Sequence, residues 1–177
     1  MPFERAVLAA LAFMAPAMAA AQPSPDTAYI TERNGLSVKD QAALRQVIVR
    51  LNHALDAADY DLYASFFGED AEFISDFGTA RGRDAIAAAL EQSRPFITGK
   101  RHVAANFLFS GDESRAEVTT YLIVFERTAS VDYVGSALNT DTFEKRDGEW
   151  ALIRHNSVLD PSTKAAMQAM MSAPAQD

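Results

Sequence analysis

What this chain can offer to chemistry is imidazole and carboxylate. Its 177 residues include three histidines, His53, His102 and His155, and no cysteine. Imidazole titrates near neutral pH without help from its surroundings. Thiol catalysis, disulfides, zinc–thiolate sites and a lipoprotein anchor all need the missing sulfur. There is no Gly-x-Ser-x-Gly elbow and no dinucleotide fingerprint, so neither a serine nucleophile on a strand-to-helix turn nor a nicotinamide site is expected. Nor is a metal centre: His53 falls on an outward helix face, and no pair of ligands has helical or hairpin spacing that would converge. The expectation for cofactors is none.

The elements that must position these groups can be read from periodicity. Ser37 and Asp40 suit a helix N-terminus, and Leu44, Val47, Ile48, Leu51 and Leu55 follow at helical spacing. At about 100° per residue, His53 lies opposite this stripe and Asp56 at its edge, so Asp56 reaches inward from the last turn. A break at Ala57-Ala58-Asp59 leads to a short helix with Leu62, Phe66 and Phe67, and then to an alternating strand, Asp70 to Asp76. Gly78 to Gly82 reads as a turn and Asp84 to Leu90 as a third helix. Four strand-like runs complete the chain: Arg101 to Ser110, Ser114 to Arg127, Val134 to Lys145 and Glu149 to Leu159. Asp147-Gly148 joins the last two as a favoured hairpin turn. The fold class is α+β, a cone-shaped curved antiparallel sheet with three helices packed on its concave face. Such a cone has a pocket.

His102 stands at the start of the first of these four strands. Thr120 and Tyr121 lie in the second, Asn139 and Asp141 in the third. Tyr121 and Asn139 are candidate donors to a substrate carbonyl or hydroxyl. Arg154 and His155 point to opposite faces of the last strand, so at most one lines the pocket. Arg154, on the parity of Trp150 and Leu152, could hold an anionic substrate group or make a surface ion pair. Phe73, Phe107 and Phe125 are aromatic residues that could line the pocket or wall it off.

The remaining composition sets limits. A formal net charge of -8 without a basic run argues against nucleic acid or anionic lipid as partner. Residues 1–21 read as a signal peptide: Arg5, an apolar run from Ala6 to Ala15, Pro16, then Ala19-Ala20-Ala21 at a cleavage site. The mature protein is expected to be periplasmic or secreted and free of the membrane. Residues 22–36 are a linker, 37–160 the domain, and 161–177 a partly helical tail whose Met167, Met170 and Met171 suit a cap on the core or a dimer contact.

The order of these elements, with these residues in them, resembles the SnoaL-like branch of the nuclear-transport-factor-2-like superfamily from about Ser37 to Asp160. The carriers are Ala54-Leu55-Asp56 with Asp59-Tyr60, Phe67-Gly68-Glu69-Asp70-Ala71, Arg81-Gly82-Arg83-Asp84-Ala85-Ile86, Arg101-His102 with Asn106, and Asp147-Gly148-Glu149-Trp150. The fold is similar to that of scytalone dehydratase, bile-acid 7α-dehydratase and ketosteroid isomerase, and also to domains without catalysis. Fold alone therefore does not give the activity. The resemblance implies that Asp56 pairs with His102, that Asp141 stands where a protonated oxyanion-hole aspartate would, and that the family's second histidine falls near Thr120 or Tyr121. Leu55 and Asn139 replace tyrosines common in relatives. It also implies a homodimer.

Two functions follow as expectations. The first is a cofactor-free lyase or isomerase on a small hydrophobic cyclic or carbonyl compound, with His102 moving a proton, Asp56 orienting it, Asp141 or Tyr121 stabilising the oxyanion, and Asn139, Arg154, Thr120 and Phe73 contacting substrate. The second is a non-catalytic exported small-molecule-binding or assembly domain. A dyad walled off by Phe73, Phe107 and Phe125 would favour the second.

Overall fold

The computed structural model describes residues 29–30, 34–128, 130 and 132–172. The expected signal peptide, most of the linker and the last residues of the tail lie outside the described residues.

Helix α1 (Val38–Asp56) starts as its sequence requires: the Ser37 hydroxyl accepts the Asp40 N–H at 3.1 Å, satisfying an amide of the first turn. Leu44, Ile48, Leu51 and Ala54 form its buried stripe. Just past its C-cap, Ala57, the chain turns at Ala58, whose φ of 55° is left-handed, and Asp59 then caps α2 (Tyr60–Ser65) by accepting the Leu62 N–H at 3.0 Å. Helices α3 (Arg83–Gln92) and α4 (Arg94–Ile97) come after the first two strands, and α5 (Pro161–Ser172) follows the last strand. Side chains of α1, α2 and α3 meet Phe67, Ala71, Val118, Phe143 and Leu152 of the sheet in one core.

The six strands are β1 (Phe67–Ser75), β2 (Gly78–Arg81), β3 (Lys100–Gly111), β4 (Arg115–Glu126), β5 (Tyr133–Arg146) and β6 (Glu149–Leu159), in the order β2-β1-β6-β5-β4-β3. The curved, unclosed α+β sheet agrees with expectation, but it is mixed, because β1 pairs with β6 in parallel. The chain reaches β3 at the far edge and returns by successive hairpins, which bring β6 beside β1 running the same way. Residues expected only as a turn, Gly78 to Arg81, form the edge strand β2.

Two register shifts decide which side chains face the helices. In β3 the pairing shifts between Ala105 and Leu108, where Asn106 takes φ 51°, so Phe107 and Phe109 turn inward to pack on the core. In β6, Phe143 faces Leu152 but Thr142 faces Arg154, leaving Ile153 as an extra residue. Leu152 and His155 therefore share the inner face.

The β5–β6 hairpin turns on Asp147 and Gly148, both at positive φ (52° and 84°), as a primed turn requires. It is fastened to α1 by Asp40, whose Oδ1 accepts from Lys145 Nζ at 2.6 Å and from Trp150 Nε1 at 2.9 Å. Hydrogen bonds from Lys145, Ser37 and Trp150 pull the Asp40 carboxyl down from 3.8 to about 2. A depressed folded-state pKa contributes stability that is present above the unfolded value and is lost as pH falls through the folded one. Thermal melts should therefore show Asp40→Asn less stable than wild type at pH 7, with the difference shrinking between about pH 4 and pH 2. A pH-independent difference would mean that the carboxylate's charge is not what fastens the hairpin.

Candidate functional site

Asp56 is the last residue of α1, where the negative end of the helix dipole disfavours a carboxylate, and its side chain is only 7% exposed. Donors from the start of β3 compensate. Asp56 Oδ1 accepts the His102 backbone N–H at 3.0 Å and the His102 Nδ1–H at 2.8 Å, and Arg101 Nη1 stands 3.3 Å from Oδ2. Asp56 and His102 are thus hydrogen-bonded to each other. Because Nδ1 donates to the carboxylate, Nε2 carries the lone pair. Burial lowers the His102 pKa below its ordinary 6.5, outweighing the Asp56 hydrogen bond and charge that raise it. The ring is therefore neutral at pH 7, with Nε2 available as a base.

A second pair lies elsewhere on the same face. His155 Nδ1 donates to Asp141 Oδ1 at 2.6 Å, and both side chains are almost wholly buried. The Phe73 ring is stacked on His155, centroids 4.9 Å apart at 19°, and Tyr63 and Phe67 complete an aromatic wall. Burial, with the Asp141 charge adding to it, pushes the Tyr63 phenol up, so it stays protonated.

One inward position along β5 from this pair, two opposed polar side chains each bury an atom that has no partner among the described residues. Thr120 and Asn139 are directly opposed on β4 and β5, at 1% and 6% exposure. Neither Thr120 Oγ1 nor Asn139 Oδ1 has a hydrogen-bond partner. Each such orphan costs about 1–3 kcal/mol.

The structure thus brings Phe73 and Asp141 to His155, sets Thr120 opposite Asn139 one inward position along β5 from Asp141, and brings Asp56 to His102. The pairs stand at different levels: His102 pairs with Val124 and Asp141 with Val118, six residues apart on β4, or about 20 Å of strand. Asp141 is not a free donor beside His102, since His155 already engages it. Tyr121 is 46% exposed on the convex face, because it alternates with buried Thr120. Arg154 is also exposed there, as its partner Thr142 alternates with inward Asp141. His155, not Arg154, faces inward; the extra residue in β6 reverses the parity on which Arg154 was expected inside, and no residue type in the sequence marks that bulge. None of the three aromatic residues considered as a wall is tied to His102: Phe73 covers His155, Phe107 lies beside Phe109 under Arg45, and Phe125 is opposite Arg101. Two surface grooves, one between α2 and α3 and one beside Arg115 and Arg154, contain no residue of either pair.

The model of the SnoaL-like domain matches residues 37–156. A protein of unknown function with a cystatin-like fold from Nostoc punctiforme PCC 73102 is 27% identical, covering 72% of this chain and 96% of its own, with a TM-score of 0.69. ActVI-ORFA from Streptomyces coelicolor is 25% identical over 68% of this chain and 97% of its own, TM-score 0.62. A Catenulispora acidiphila protein solved in complex with S-DNPA shares the fold at 23% identity, over 73% and 99% of the two chains, TM-score 0.64. No curated protein matches.

The orphaned hydroxyl gives a stability test. Valine has nearly the shape of threonine and brings no polar atom, so Thr120→Val should stabilise the protein by about 1 kcal/mol, read from denaturant midpoints at unchanged slope. A loss of stability of that size would mean that the hydroxyl has a partner in solution.

Proposed function

The chain belongs to the SnoaL-like family, and on that premise we propose that it binds a small, largely apolar molecule and moves a proton on it without a cofactor, with His102 as the base and Asp56 as its orienting partner. The observation that carries this reading is the 2.8 Å bond from His102 Nδ1 to a buried Asp56 carboxylate, which leaves Nε2 as the proton acceptor. The S-DNPA complex of the Catenulispora acidiphila protein supports a small-molecule role.

In the proposed step His102 Nε2 takes a proton from a carbon next to a carbonyl. The C–H bond breaks, the N–H bond forms, and the electron pair enters the enolate. Asp56 stabilises the imidazolium while remaining an acceptor. That imidazolium then returns its proton, to a leaving hydroxyl in an elimination or to a second carbon in an isomerisation. Small ketones bearing an acidic α-hydrogen are accordingly the compounds to assay.

A non-catalytic reading is favoured by one observation: Asp56 also holds the His102 backbone N–H and Arg101, so the same contacts would serve to fasten α1 to β3. The export reading rests on the sequence of residues 1–21. A homodimer through the convex face is supported by Val103, Tyr121, Phe125 and Val158, all exposed; sedimentation at micromolar concentration should give a dimer, and a monomer would remove it.

The catalytic reading is tested by turnover and by titration of the His102 ring. His102→Gln should cost about 10²–10⁴-fold in kcat with the fold retained. In wild type the acid limb of the rate profile should lie below pH 6.5, following the lowered His102 pKa. Asp56→Asn should move it lower still, since the carboxylate raises that pKa. Turnover unchanged in His102→Gln would remove the mechanism and leave the binding domain.

A further inference from the structure

We propose that Arg101 is a positioning residue for the His102 imidazole: from the convex side of the sheet its guanidinium takes one oxygen of the carboxylate that His102 holds by the other, and so limits the negative charge that reaches the ring. The inference deepens the Asp56–His102 reading and rests on it, since it gives the outside of the cone a control over the base within.

The geometry begins with the edge of the sheet. β3 is the last strand in the order and so an edge strand. An edge leaves a row of N–H groups without a sheet partner, and the His102 N–H is one of these, donating at 3.0 Å to Asp56 Oδ1. The carboxylate therefore lies along the open edge, level with the backbone. Neighbouring side chains of a strand point to opposite faces, so His102 comes to the carboxylate from the concave side and Arg101 from the convex side. His102 Nδ1–H donates to Oδ1 at 2.8 Å, and Arg101 Nη1 stands 3.3 Å from Oδ2. Asp56 is 7% exposed and Arg101 44%, so one buried carboxylate joins the imidazole to a cation in contact with water.

The other charges near the ring have partners of their own or lie apart. Lys100, two residues before His102 on the same face, is paired at 2.5 Å with Glu126 opposite it, and Glu126 also accepts the N–H groups of Arg127 and Thr128. Arg127 reaches the main-chain oxygen of Asp56, at 3.4 Å, where it answers the negative end of α1. His53, in the last turn of α1, is exposed. Val124 and Gly135, next in the His102 row on β4 and β5, are uncharged. Arg101 has Asp56 as its one ion-pair partner among the described residues. Without it, Asp56 would direct its whole charge at the imidazole and favour the imidazolium, which has no lone pair to accept a proton. With Arg101 on the second oxygen, the carboxylate still fixes the tautomer through Nδ1–H but holds the ring's proton less. A neutral donor would fasten α1 to β3 as well; the permanent charge is what acts on the ring.

The test is an NMR titration of the His102 ring in the full chain, which needs no substrate, in wild type, Arg101→Gln, Arg101→Lys and Arg127→Gln. Arg101→Gln should move the His102 pKa upward by roughly half a pH unit to one, the effect of losing a unit charge several ångströms from the ring. Arg101→Lys restores the charge and should return the pKa towards wild type. Arg127→Gln removes an equal charge that does not touch the carboxylate, and should move it less than half as far. Should Arg101→Gln not fold, Arg101→Met, which keeps the apolar stem, takes its place. An unmoved or lowered pKa in Arg101→Gln, a lysine variant that titrates like the glutamine one, or an equal rise in Arg127→Gln would each overturn the role. The His102→Gln turnover test reads another residue and another quantity. Turnover that survives it, beside a titration that moves as expected, removes the catalytic reading and leaves Arg101 in control of a structural imidazole; an unmoved titration removes the role of Arg101 and leaves the base.

Discussion

A carboxylate in the last turn of a helix and shielded from water is unfavourable on two counts, desolvation and the helix dipole. Asp56 is placed there, and the start of β3 is shaped to answer it with a backbone N–H, an imidazole N–H and a guanidinium. Removing the carboxylate would strand His102; removing His102 would leave a buried charge with fewer donors. A hydrogen bond to a charged group is worth roughly 1.5–3 kcal/mol, so α1 and β3 are held in fixed relation by the same contacts that select the histidine tautomer. Orientation of the base and attachment of the helix are one interaction seen from two sides.

The opposite end of α1 is held in the same manner. Asp40 joins the first turn to Lys145 and Trp150 of the β5–β6 hairpin, so a 19-residue helix is pinned to the sheet by an aspartate near each end. Between these pins the contact is apolar, through Leu44, Ile48 and Leu51, and apolar contact alone allows sliding along the groove. The two aspartates remove that freedom. The proton transfer proposed for His102 would require reacting groups placed to within a fraction of an ångström, and a helix fixed at both ends suits that demand.

Much of this was legible in the sequence, and the part that was not has a definite physical origin. The stripe from Leu44 to Leu55 gave the helix face, and hence the outward His53 and the inward Asp56, because a helix keeps its period for as long as it lasts. The Asp147-Gly148 turn located the last hairpin. Its pairing, carried along without interruption, sets Asp141 opposite Arg154. One extra residue at Ile153 sets it opposite His155 instead. A strand has period two, so a single inserted residue exchanges inside for outside from that point onward. The insertion lies in a strand that pairs with β1 on one side and β5 on the other, so it belongs to the assembled sheet and not to a local residue pattern. Tyr121 was misplaced for a simpler reason: Thr120 beside it takes the inner face, and of two neighbours in a strand only one can.

Both bulges act on the same side of the balance between folding and function. Asn106 turns Phe107 and Phe109 toward the helices, adding apolar contact to the core, while Ile153 brings a histidine rather than an arginine to the buried Asp141. An Asp–Arg pair there would be a fixed ion pair, with every donor permanently charged and no lone pair to offer. An Asp–His pair has the same strand geometry and keeps Nε2 free. The sheet thus places two imidazoles on its concave face, each held through Nδ1 by a carboxylate from a different element, and each presenting the nitrogen that can accept a proton. A fold selected for packing alone has no use for that repetition, since each pair requires a carboxylate to be buried and sits where larger aliphatic side chains would stabilise more. Local rules of core construction are broken where a protein has other demands to meet, and in this chain they are broken along one face, at Asp56, Thr120, Asn139 and Asp141.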